Sequence, residues 1–106
     1  MYECKESDWK LFKKKIASWQ EDYMEKLNLE YISLLQREED PSHNFWDLCD
    51  RIDKDKKKPG VVVEMSRAKM FTNLLDLLND GVITFKDLED FSEELIESLK
   101  HFVEKK

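Results

Sequence analysis

The sequence predicts an all-α protein, an antiparallel four-helix bundle with a long first helix, built as a single domain over residues 1–106. Three observations carry this. Trp9, Phe12, Ile16, Trp19, Tyr23, Leu27, Tyr31 and Leu34 recur every three or four residues, which sets them on one helix face. Only two glycines and two prolines occur, too few for the turns a sheet protein needs. Charged residues make up 40% of the chain and apolar ones 41%, a balance that suits slender helices with one apolar stripe and a wide wet face.

Helix one is expected from Ser7, as cap, to about Arg37, since no Gly or Pro intervenes before Pro41. Such a helix outruns a small domain of about 30 Å, so part of it should overhang or bend near Asn28. Its second half adds Met24, Leu29, Ile32 and Leu35. Apolar on more sides, it is expected at the centre of the fold, with the first half on a flatter surface.

Helix two follows the break EEDPSHN, with Ser42 as cap, and runs to about Lys56. Phe45, Cys49 and Ile52 share a face, Cys49 reading as a small core hydrophobe, with Trp46 and Leu48 beside them. KDKKKPG ends it. Val61-Val62-Val63 favours a strand but has no second strand to pair with, so helix three is extended over it, from about Gly60 to Asn79. Met65, Ala68, Phe71, Leu74, Leu75 and Leu78 then form its broad face.

Asn79-Asp80-Gly81 reads as a helix end with a left-handed glycine. Thr84 and Asp87 form a capping box, flanked by an Ile83–Leu88 staple, and helix four should run on to about Glu104. It presents Leu88, Phe91, Leu95, Leu99 and Phe102 on one side and Glu89, Asp90, Glu93, Glu94 and Glu97 on the other.

The net charge is −6, against free nucleic-acid binding. Residues 51–69 alone are basic, with seven Lys/Arg against three Asp/Glu. Lys54, Lys56, Lys57, Lys58, Arg67 and Lys69 are the residues a direct DNA contact would use, a third-ranked reading. Cys4 and Cys49 suggest no disulfide framework, and the polar, charged amino end does not read as a signal peptide. No apolar run reaches a membrane span of about 18–20 residues, so a cytoplasmic location is expected.

Chemistry finds little purchase in the sequence. Asp76, Asp80, Gly81, Ile83 and Asp87 fall on an EF-hand register, but its third position is Leu78 and its last is Asp rather than Glu. His43 and His101 lack the convergent ligands of a metal site and read as surface residues. No nucleophile elbow, phosphate loop or dinucleotide fingerprint occurs. The expectation is a non-enzyme with no catalytic residues, metal or cofactor.

The stretch Phe45–Phe102, with KKKPGV, a Met-containing third helix and DGVITFKDLEDFSEEL, resembles small all-helical proteins of low-GC Gram-positive bacteria that have no assigned function. The resemblance implies a cytoplasmic bacterial protein and transfers no functional residues. From the residues themselves, the leading expectation is a protein–protein interaction module, a homo-oligomer or partner of another protein, whose interface is Trp9, Phe12, Ile16, Trp19 and Tyr23. The alternative is an acidic regulatory partner of a nucleic-acid-handling protein, acting through the carboxylates of helix four.

Overall fold

The computed structural model describes residues 2–104. Among these, the regular structure is helical throughout: α1 (Glu6–Leu35), α2 (Pro41–Asp55), α3 (Arg67–Asn79), a 3-10 turn (Phe85–Leu88) and α4 (Glu93–Phe102). The all-helical class and the long first helix are as expected. The antiparallel four-helix bundle is met in part. α1 is the shared element, packing against α3 at its amino-terminal half and against α2 at its carboxy-terminal half, while α3 packs on α4. The outcome is an elongated molecule of 52 × 27 × 19 Å, with a core lobe at one end and a two-helix arm at the other.

The core lobe buries Trp9, Phe12 and Ile16 of α1 against Met70, Leu74 and Leu77 of α3, Ile83, Leu88 and Phe91 of the connection, and Leu95 and Leu99 of α4. This reverses the expectation for α1. Its first half is the covered half, and its second half leaves Leu29, Ile32 and Leu35 at 62%, 51% and 49% exposure. The stripe is continuous along α1, but side chains of α3, the connection and α4 cluster on its start and only the 15-residue α2 packs on its end.

A buried carboxylate fixes that choice. Asp8 accepts hydrogen bonds from the Ser92 backbone N–H (2.9 Å), the Ser92 hydroxyl (2.6 Å) and the Tyr2 hydroxyl (2.7 Å). Ser92 in turn caps α4, its Oγ accepting from Leu95 N–H. The chain therefore turns at Ser92, and the single helix expected from Thr84 to Glu104 is divided into the 3-10 turn and α4. The Thr84–Asp87 capping box forms as read, but it starts the 3-10 turn. Ser7 is not a cap; α1 begins one residue earlier, behind Lys5.

Helix three is also shorter than expected. α3 starts at Arg67, where the Ser66 hydroxyl accepts from Lys69 N–H, and residues 62–66 are non-helical. Val61 and Val62 both donate to the Lys58 carbonyl, closing a turn. The Asn73 amide donates to the Glu64 carbonyl at 2.8 Å, holding the following segment along α3. The buried stripe of α3 is phased on Met70, Leu74 and Leu77; Phe71, Leu75 and Leu78 are half-buried, and Met65 and Ala68 are exposed. Its end is as read: Gly81 has φ +74°, with Val82 N–H on the Leu77 carbonyl and Gly81 N–H on that of Leu78, the double bond pattern of a Schellman cap.

Candidate interaction face

The arm is an antiparallel hairpin of two helices, and polar side chains hold it together. At its turn, the buried Asn44 side chain accepts from Arg37 and donates to the carbonyls of Leu35 and Arg37. Arg37 also pairs with Asp47 at 2.8 Å. In mid-arm, Arg51 pairs with Glu30 and lies over the Tyr31 ring. At the far end, Asp55 is 2% exposed and its Oδ2 accepts from the Tyr31 hydroxyl at 2.7 Å and pairs with Arg51 at 3.0 Å. Its Oδ1 makes no hydrogen bond and faces the Lys58 ammonium at 3.3 Å. Burial alone would push the Asp55 carboxyl up; Tyr31, Lys58 and Arg51 outweigh it and hold the group below its ordinary value.

Beyond Asp55 the chain runs back along α1. Gln20 donates to the Pro59 carbonyl, and Gly60 lies against the Tyr23 ring so closely that a Cβ there would sit 2.3 Å from a ring carbon. A side chain at Gly60 would hold the loop off α1.

Helical phase sorts the arm into two flanks. The Glu30–Arg51 pair closes one of them. At about 100° per residue, Asn28, Ile32 and Leu35 of α1 and Phe45, Cys49 and Ile52 of α2 fall on the other. A shallow hollow of about 220 Å³ lies between α1 and α2, lined in part by Met24, Asn28 and Ile52. Phe45 and Ile52 are 57% and 40% exposed, and Trp46, 63% exposed, meets the Phe45 ring edge-on at 5.0 Å. Cys49 is half-buried, so this face of α2 is not the core stripe that the sequence suggested.

The residues expected at an interface lie elsewhere. Trp9, Phe12 and Ile16 are buried inside their own chain at 6%, 0% and 7% exposure. Trp19 stacks on Phe91, and Tyr23 covers Gly60; both are half-buried. The extra apolar residues of the second half of α1 are the sequence signal of this exposed face, although apolarity alone reads them as buried. Helical periodicity does not show the pairing of Asp8 with Ser92, 84 residues away, or of Asp55 with Tyr31, 24 residues away, although the ion pairs of Asp55 with Arg51 and Lys58 are local.

The charged clusters are dispersed. Of the carboxylates that the sequence set on one helix-four face, Asp90 lies in the turn before α4 and pairs with Lys15, while Glu94 pairs with Lys5 and Glu97 with Lys100. Of the basic residues, Arg67 pairs with Glu6 at the start of α1, apart from Lys54–Lys58, which lie beside its middle; Lys56 pairs with Asp53 and Lys58 with Asp55. His43 and His101 are exposed. Among the described residues no group of three or more His, Cys, Asp or Glu could hold a metal ion, and no helix is long and apolar enough to cross a membrane. No family model, curated protein or solved structure matches the chain.

Proposed function

We propose that the protein is a non-catalytic protein–protein interaction module that self-associates through helix one, using its carboxy-terminal half together with α2. The observation that carries this reading is the exposed apolar flank of Ile32, Leu35, Phe45 and Ile52 on a hairpin whose opposite flank is closed by ion pairs. At roughly 200 Å² per large side chain, these four and Trp46 expose roughly 500 Å². The largest apolar patch of a typical monomer is about 300–600 Å² and is often functional, and this one is of that size. The polar braces make the face rigid, so docking loses little conformational freedom. The acidic side of α4 is the weaker candidate, because lysines of α1 and α4 already neutralise much of it.

Sedimentation velocity tests the reading. Self-association at micromolar concentration, lost in Phe45→Glu and Ile32→Glu while helical circular dichroism is retained, supports it. A wild-type chain that stays monomeric at about 100 μM, a concentration far above the Kd of a specific dimer, overturns it.

A further inference from the structure

We infer that the occupant of this face is the same hairpin of a second copy, related by a two-fold axis across the arm, so that the two arms pair antiparallel into an intermolecular four-helix bundle. The inference rests on the self-association just proposed and adds its geometry. Two features specify it: charge and area.

The hairpin is polar along its length. Its turn carries Glu38, Glu39 and Asp40, all exposed. Its other end carries exposed Lys54, Lys56, Lys57 and Lys58. α1 contributes Glu21, Asp22 and Glu25 against Lys26 there, so the positive charge belongs to the α2 edge. A two-fold axis perpendicular to the arm brings each acidic turn beside the partner's lysine-bearing edge, twice over. A parallel arrangement would set acid on acid and lysine on lysine. Between these ends the facing surface is apolar: Ile32 and Leu35 from α1, Phe45 and Ile52 from α2.

The area fits the same occupant. A specific dimer buries about 800 Å² per partner. The roughly 500 Å² of exposed apolar side chain, with the polar rim at both ends, matches that need. A two-fold interface uses one self-complementary patch, and this patch has the required charge order. Short helices that each bury one stripe reach a full core when four of them meet.

The test is a pair of charge-reversed chains, followed by sedimentation at fixed protein concentration. Glu38→Lys/Glu39→Lys makes both ends of the arm basic, and Lys56→Glu/Lys57→Glu makes its α2 edge acidic like the turn. Each substitution appears twice in the dimer, so each variant alone should weaken self-association by about tenfold or more, and their equimolar mixture should restore it as a heterodimer. The wild-type dimer should also weaken as salt rises from about 0.05 to 0.5 M, because rim charges are screened. All four positions are exposed, and unchanged circular dichroism shows that each variant folds. A dimer that Phe45→Glu breaks, but that neither reversal nor salt weakens, overturns the antiparallel pairing and leaves self-association standing. A wild-type chain monomeric throughout overturns both.

Discussion

The Tyr31 hydroxyl donates to the buried carboxylate of Asp55 at 2.7 Å, joining the carboxy-terminal part of α1 to the last residue of α2. Few other contacts of comparable burial hold the arm closed, so its stability should depend on this bond. Tyr31→Phe is expected to cost about 1.5–3 kcal/mol, the range for a hydrogen bond to a charged group. Thermal denaturation at one fixed protein concentration should show Tm falling by about 4–8 °C for each kcal/mol.

The same pair makes stability pH-dependent at both extremes. Burial, then the bond to Asp55, pushes the Tyr31 phenol up to about 12 from an ordinary 10.0. A raised folded value means that the bond's contribution is complete below pH 10 and is lost as the pH rises through 12. Asp55 is held below its ordinary 3.8, so its contribution is complete above that value and disappears as acid protonates the folded carboxyl. Urea midpoints of wild type and Tyr31→Phe should therefore differ most near neutrality and converge between pH 10 and 12.

Asp8 and Ser92 join the amino ends of α1 and α4 across 84 residues of chain. Asp8→Ala removes three accepted hydrogen bonds and is expected to destabilise by about 2–3 kcal/mol; Ser92→Ala, which loses the α4 cap, by about 1–2 kcal/mol. Because they share one network, the double variant should fall short of the sum by about 1 kcal/mol in a urea double-mutant cycle.

Gly60 is held by contact rather than by backbone angle. Gly60→Ala puts a methyl into the Tyr23 ring and should cost about 1–3 kcal/mol as the loop lifts from α1. Tyr23→Ala removes the obstructing ring, so Gly60→Ala should cost far less in that background. Chemical denaturation of the four chains decides it.

Core and face can be separated by the same measurement. Phe12 is fully buried, and Phe12→Ala should cost about 3–5 kcal/mol. Phe45→Ser, more than half exposed, should leave the monomer within about 0.5 kcal/mol of wild type.

Local signals in the sequence were reliable where the physics was local. The Schellman end at Gly81 and the Thr84–Asp87 box depend on neighbours within five residues, and both form. So does most of the apolar phase: Leu88, Phe91, Leu95 and Leu99 stay buried even though the helix is interrupted at Ser92, while Phe102, read on the same face, is 60% exposed. What periodicity does not settle is which half of α1 is covered: the second half, apolar on more sides, reads as the buried one, and it is the first that is covered. That was decided by long-range contacts: Asp8 with Ser92, Arg67 with Glu6, Phe91 with Trp19. Val61–Val63 failed for a related reason. A helix there would leave Ser66 without its capping role and Asn73 without the Glu64 carbonyl.

α1 runs unbroken for 30 residues through both ends of the molecule, so it works as a shaft that sets the azimuth of the arm relative to the core. One residue inserted near its midpoint would rotate the arm by about 100° and advance it by about 1.5 Å, with every residue type otherwise intact. The residue count of α1 thus helps set the orientation between the two ends, and a length change there should redirect the arm and strain the contacts of Pro59 and Gly60 with Gln20 and Tyr23.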